Sequence, residues 1–418
     1  MTKIRPFKAV RPTRDKVHLV ASRSYVSYSP ESLNDKLSEN PYTFIHVINP
    51  EFGKQGPKKE GKARFYMVKS RFDEFVDEGV YVQDEIPQFY IYRQTKQGVN
   101  PNVSYTGIIA GASIDDYMEG HIKVHEQTLT KRENMFKDYL DVCDFNAEPV
   151  LLTYPPQDAI EEIVKKYTSQ RAEYDFTSTN KDRHTVWLID KDEDIKGIME
   201  SFENVSDLYI ADGHHRSASS VLLGEDRRKN KGKFDGEESF NYFMSYLVPE
   251  DQLHIYDFNR LVEDLNHLYK DEFIEKLEQV ADLTSMGSDI FKPTRLHQLS
   301  MYLEGEWFAL EFKSDYYDDF DPINSLDAHL LSKHILGPIL EIHDLKTDKR
   351  IEFMDGVKGM QGLKDRVDSE RAKVAFGLFP VSIEQLKHVA DTGNSMPPKS
   401  TYVEPKLRSG LTIFPIEK

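Results

Sequence analysis

The feature that most constrains this chain is a break in the run Leu208-Tyr209-Ile210-Ala211-Asp212-Gly213-His214-His215-Arg216. Four apolar residues read as a buried strand, Asp212-Gly213 stops it, and Arg216-Ser217-Ala218-Ser219-Ser220-Val221-Leu222-Leu223 resumes as a helix. A strand that feeds a helix through a glycine turn aims several backbone N–H groups and the positive end of the helix dipole at one spot. Such a spot favours an anion. Gly213 lets backbone and ligand approach closely, and Arg216 offers a two-pronged fork for phosphate. His214 and His215 can donate hydrogen bonds or carry protons, and Asp212 can accept a proton or hold a magnesium ion. Placing an Asp, two His and an Arg directly after an apolar strand costs desolvation unless a ligand uses them, so the cluster reads as a phosphate-handling centre.

The rest of the composition narrows the class. The 418 residues suffice for two or three domains, and 24 Phe with 22 Tyr argue for a folded globular chain. The net charge of −17 repels nucleic-acid phosphates and anionic membranes, which favours a small-molecule partner with no nucleic acid and no membrane. No apolar run is long enough to span a bilayer and the N-terminus lacks a signal-peptide core, so the expected location is cytoplasmic. The single cysteine, Cys143, excludes an intrachain disulfide and reads as a small buried apolar residue.

Along the chain, Val17-His18-Leu19-Val20-Ala21 and Thr43-Phe44-Ile45-His46-Val47-Ile48 are expected as short strands, and residues 52–61 as a loop. Phe65, Val68, Phe72, Phe75 and Val76 recur at helical spacing. Strands are expected at 89–93, 105–110, 242–248 and 372–379, and helices after Pro155-Pro156, around Ile198, and after Ser382. Residues 224–239 read as a solvated loop and 396–401 as a Pro-stiffened one. The expected fold class is mixed α/β, with an N-terminal region 1–255 and a C-terminal α/β region 256–418.

The stretch Ala211-Asp212-Gly213-His214-His215-Arg216-Ser217-Ala218 resembles the signature of the ParB/sulfiredoxin superfamily in the form found in free L-serine kinases. Ile4-Arg5-Pro6-Phe7, Val124-His125-Glu126-Gln127-Thr128, Met396-Pro397-Pro398-Lys399-Ser400-Thr401 and Glu404-Pro405-Lys406 resemble domain-of-unknown-function family 1015, whose name carries no activity. The resemblance implies a ParB/sulfiredoxin-like core at about 100–255, with a strand-rich N-terminal elaboration. It also implies a kinase that moves a phosphoryl group from ATP or ADP, with Mg2+, to a small hydroxyl such as that of L-serine. Nucleotide phosphate would rest on Gly213, His214, His215 and Arg216, with Asp212 and His215 catalytic and Asp212 on the metal. Glu126 is the candidate for the upstream catalytic glutamate, and His125 and Lys123 are candidates for the substrate. Lys399, Ser400 and Thr401 follow no Gly-x-x-x-x-Gly, so they form no Walker A loop, yet they are candidates for phosphate contact. One departure stands out, because Ala21-Ser22-Arg23-Ser24-Tyr25-Val26 occupies the place of an expected Ala-Pro-Pro-Tyr-Asp segment.

Two other classes stay open: a ParB-like protein that binds or hydrolyses a nucleotide for regulation, and a metal-dependent hydrolase using Asp212, His214 and His215 with His125 or Glu126. Pairing of two copies as a homodimer is also open.

Overall fold

The computed structural model describes residues 1–24, 27–54, 58–97 and 103–417. Tyr25 and Val26 of the departing segment, and Gln55-Gly56-Pro57 of the expected loop, lie outside the described residues. The chain forms two compact units: Met1–Lys123 with Thr128–Leu253 and Pro405–Lys418, and Val124–Gln127 with His254–Glu404. The fold is mixed α/β, as expected.

The first unit is built on a nine-stranded sheet. Its strands are β1 (Ile4–Arg5), β2 (Phe89–Lys96), β3 (Val103–Ser113), β4 (Ile122–Lys123), β5 (Val150–Tyr154), β6 (Tyr174–Thr177), β7 (Arg183–Ile189), β8 (Leu208–Asp212) and β9 (Tyr242–Pro249). They lie in the order β4-β8-β5-β9-β3-β2-β7-β6, with β1 on β3. Helices α1 (Gly61–Asp77), α2 (Thr130–Cys143), α3 (Asp158–Thr168), α4 (Asp192–Glu203) and α5 (His214–Lys231) accompany it. Alternation along the strands feeds one core with Ile91, Ile108, Leu152, Ile210 and Leu247, against Ile160 of α3 and Ile198 and Phe202 of α4. A second core takes the α1 stripe Phe65, Val68, Phe72 and Phe75 against Val142, Cys143 and Phe145. Cys143 is buried there, and burial raises its thiol pKa to about 12, which keeps it an inert packing group.

Two expectations are corrected. Val17–Val20 and Ile45–Ile48 are short helices, not strands. Runs of four apolar residues satisfy either period, and here Val20, Phe44 and Val47 pack in the helical core around α1. Residues 224–231 continue α5 instead of opening a loop. Gly224 reads as a breaker, but its bare Cα is what packing requires: a Cβ there would lie 2.4 Å from Ile114 Cδ1 and 2.6 Å from the Phe240 carbonyl oxygen. Arg227 and Arg228 then tie the helix to Asp144 (2.8 Å) and Asp115 (2.6 Å).

The second unit holds a six-stranded sheet of β10 (Phe258–Val262), β11 (Ala281–Gly287), β12 (Gln298–Leu303), β13 (Glu306–Phe312), β14 (Ile351–Asp355) and β15 (Val374–Gly377), in the order β11-β13-β12-β15-β10-β14. Leu299, Met301 and Leu303 face one core with Phe273 and Leu277 from a helix at Lys270–Val280. Tyr302 and Leu261 face the other, with Met360 and Leu363 from a helix at Gly359–Asp368. No helix among the described residues is long and apolar enough to cross a membrane.

Because Gly224 has no room for a methyl group, Gly224→Ala is expected to destabilise the protein by about 1–3 kcal/mol. A lower urea midpoint for this variant, with the exposed Lys229→Ala in the same helix as a control, checks it; an unchanged midpoint contradicts the packing account.

Candidate functional site

Strand β8 lies between β4, parallel to it, and β5, antiparallel to it. Tyr209 pairs with Thr153 and Ile210 with Leu152, and the register then slips so that Asp212 faces Leu151. A bulge of this kind re-aims the residue that follows it, here the carboxylate at the strand end. Gly213 takes φ 105°, a conformation that L side chains rarely adopt, and its carbonyl oxygen accepts from the Arg216 amide (2.8 Å) and the Ser217 amide (3.1 Å). Ser217, Ser219 and Ser220 donate back to the carbonyls of His214 (2.9 Å), His215 (2.7 Å) and Arg216 (2.8 Å), which stiffens the first turns of α5.

The guanidinium of Arg216 folds back over this turn. A Cβ at Gly213 would lie 2.8 Å from Arg216 Nη2 and 2.9 Å from Nε, so only glycine leaves room for it. Its Nη1 donates to Glu148 Oε2 at 2.8 Å, and the Ser409 hydroxyl donates to the other oxygen of Glu148. Arg216 Nε is buried and has no hydrogen-bond partner. The clamp at Nη1 therefore turns the Nε–Nη2 edge, the side that grips an oxyanion with two parallel bonds, toward the start of α5. The first turn of α5 itself carries no acidic residue.

Lys406 adds a second cation, 3.1 Å from Asp212 Oδ2. Burial alone would raise the Asp212 carboxyl pKa, but Lys406, with Arg216 and His214, outweighs it and holds the group at about 2. Asp212 is thus a fixed anion, half-exposed, and a poor proton acceptor near neutrality. Lys406 and Ser409 lie on one segment, 405–410, whose Ser409 backbone also exchanges two hydrogen bonds with Ser22 (2.8 and 3.2 Å). The described end of the departing N-terminal segment therefore sits directly beside the residue that braces Glu148.

The other candidates are placed as follows. His214 is buried in the first turn of α5, and His215 Nε2 accepts from the Leu129 amide at 3.2 Å, which leaves the ring proton on Nδ1 in this arrangement. Lys123 pairs with Tyr209 in register, and its ammonium lies 3.8 Å from Asp207, at the start of β8, away from Asp212 at its end. His125, Glu126, Lys399, Ser400 and Thr401 belong to the second unit. There the His125 carbonyl accepts from the Met396 amide at 2.8 Å, which brings the 124–127 segment beside the 396–401 loop. Among the described residues no group of three or more His, Cys, Asp or Glu side chains could hold a metal ion. A lone ionised carboxylate still suits magnesium, which is commonly held by one or two carboxylates and the substrate's own phosphates. Glu148, Lys406 and Ser409 had no role in the sequence reading; of these only Lys406 lay within a recognised stretch, and neither Glu148 nor Ser409 carries a local signal.

Residues 4–329 match the family described as protein of unknown function (DUF1015). The chain belongs to this family. No curated protein matches this DUF1015 protein. Among solved structures it is similar to a free serine kinase variant in complex with AMP, at 15% identity and TM-score 0.38, covering 73% of this chain and 91% of that one. It is also similar to C-terminally truncated SbnI from Staphylococcus aureus, at 13% identity and TM-score 0.38, covering 72% and 85%. A conserved hypothetical protein from Pyrococcus furiosus matches at 14% identity and TM-score 0.35, covering 72% and 91%. Likenesses this distant carry no argument about activity, which has to be read from the site itself.

The depressed Asp212 pKa has a definite sign. A carboxyl whose folded value lies below its ordinary 3.8 contributes stability that is fully present above about pH 4 and is lost as pH falls toward about 2. The unfolding midpoint of the parent protein should therefore exceed that of Asp212→Asn by a constant margin above pH 4, and the margin should close below it. A margin that grows on acidification would contradict the ion pair.

Proposed function

We propose that this protein binds a nucleotide through its phosphates at the Asp212–Arg216 turn and transfers a phosphoryl group to the hydroxyl of a small molecule, L-serine being the first acceptor to test. One observation carries this reading: the oxyanion-gripping edge of Arg216, fixed by Glu148 over Gly213, has its Nε buried without a partner. A buried donor left unsatisfied is costly, and a phosphate oxygen at the start of α5 would complete it.

In the reaction, the acceptor oxygen forms a bond to the terminal phosphorus of ATP or ADP as the bridging P–O bond breaks, releasing ADP or AMP and one proton. Phosphoryl transfer asks for positioning and charge neutralisation more than covalent chemistry. Arg216 and the amides of the turn would hold the phosphate, and Lys406 would keep Asp212 ionised and oriented. Asp212 suits the holding of a magnesium ion, whose charge would shield the phosphate oxygens. Its low pKa disfavours it as the base. His215 would order the loop before α2 through Leu129.

Phosphorus NMR of the full chain with magnesium, ATP or ADP, and L-serine tests the proposal. A phosphoserine resonance that requires serine is expected. Arg216→Ala should lower the rate by about 100- to 1,000-fold, and Glu148→Gln by about tenfold through a loosened guanidinium. Nucleotide hydrolysis with no phosphoserine would retain the phosphate site and favour the ParB-like regulatory reading. No nucleotide consumption, or full activity in Arg216→Ala, would overturn the proposal.

A further inference from the structure

His297, immediately before β12 in the second unit, is buried at the wall of a cavity of about 850 Å3. A space of that size takes a small organic molecule. The His297 amide donates to Asp327 Oδ1 at 2.9 Å, and ring Nδ1 lies 3.3 Å from the same oxygen. Ring Nε2 lies 2.8 Å from Asp319 Oδ1, and the ring stacks on Tyr317 with centroids 3.7 Å apart. One imidazole thus meets two carboxylates. Burial alone would lower its pKa, but Asp327 and Asp319 outweigh burial and raise it above the ordinary value. The residue is held at φ 64°, a left-handed conformation that a non-glycine residue adopts at a cost.

The two carboxylates are not equivalent. Asp327, at the start of the short helix Asp327–Leu331, has a side chain 3% exposed, whereas that of Asp319, on the stretch between β13 and that helix, is 63% exposed. Asp327 alone matches the charge of the imidazolium, and an exposed pair such as Asp319 with His297 is weakly held. The turn that carries Asp319 is closed by its neighbours. Asp318 accepts from the Phe320 amide at 3.0 Å, and Asp321 accepts from the amides of Ile323 (2.8 Å) and Asn324 (2.7 Å). Asp319 can therefore leave Nε2 without unmaking that turn, and its carboxylate marks a point on the cavity wall that accepts an oxyanion. Arg295 lines the same cavity, and both its 2.6 Å bonds to Glu311 come from Nη2, so Nε and Nη1 take no part in that pair. Tyr317 and Phe379 give the cavity an aromatic wall. Glu311, Asp319 and Glu384 stand there against Arg295, His297 and His388, a balance that admits one negative charge more readily than two.

We propose that this cavity binds a small aromatic monocarboxylate, whose carboxylate takes the place of Asp319 on His297 Nε2 beside Arg295, with its ring against Tyr317 and Phe379. Asp319 is then an internal competitor that covers the donor until the ligand arrives, and Asp327 fixes the direction of the imidazole from behind. The site is independent of the Asp212–Arg216 turn and does not rest on the phosphate reading.

Benzoate is titrated by calorimetry into the full-length protein at about pH 6 and constant ionic strength, where the imidazolium is present. Asp319→Ala should bind it at least about tenfold more tightly than the parent, because the internal competitor is gone. Glu384→Gln removes the same charge from the same cavity without uncovering His297, and should change the affinity by less than about threefold. Arg295→Met should weaken binding in the Asp319→Ala background by at least about tenfold, and His297→Gln should abolish it there. Benzamide, the neutral isostere, should not bind. If His297→Gln does not fold, the exposed Arg295→Met variant and the comparison of Asp319→Ala with Glu384→Gln decide the matter. No benzoate binding in Asp319→Ala, equal gains in Asp319→Ala and Glu384→Gln, binding indifferent to Arg295 and His297, or benzamide binding as well as benzoate would overturn the proposal.

Discussion

The candidate site depends on one ion pair, Arg216 with Glu148, and on the glycine that makes it possible. A side chain at Gly213 would displace the guanidinium from the turn, since its Cβ would come within 2.8 Å of Nη2 and 2.9 Å of Nε. Without Glu148 the guanidinium would have no fixed direction. Ser409 braces Glu148 from the C-terminal segment, so residues 148, 213, 216 and 409, distant in sequence, define one rigid donor edge. Rigidity matters because a preorganised donor spends nothing on reorganisation when charge arrives.

Charge distribution gives the same site its chemical sense. The chain carries −17 overall, yet the start of α5 gathers Arg216, Lys406, the dipole end and no acidic residue in its first turn. Two cations held by two carboxylates at a helix N-terminus offer fixed donors to a small polyanion, and the acidic remainder of the molecule disfavours nucleic acid. Of the two carboxylates in the cluster, Glu148 is held by Arg216 and Ser409, while Lys406 keeps Asp212 ionised, which leaves Asp212 fit to share a cation with a ligand rather than to accept a proton.

Much of this was legible in the sequence. The strand at Leu208–Ala211, the break at Asp212-Gly213 and the helix beyond are dictated by local periodicity and by glycine, and they appear where the pattern places them. What escaped was non-local. Glu148 stands just before β5 and meets Arg216 only because β5 pairs with β8 in a slipped register, and no spacing rule links the two. Lys406 and Ser409 return to the first unit from the end of the chain. Local signals also misled where length was short or context decisive. Val17–Val20 and Ile45–Ile48 are too brief to show a period, and Gly224, which reads as a helix stop, is a close-packing residue within α5.

Hydrogen–deuterium exchange of the full chain with and without ADP and magnesium tests the central claim most directly, because it locates the phosphate without presuming an acceptor. The account predicts slowed exchange at the amides of residues 213–217, with protection extending to 405–410 and absent in Arg216→Ala. Binding of ADP that leaves 213–217 unprotected while protecting another part of the chain would contradict it.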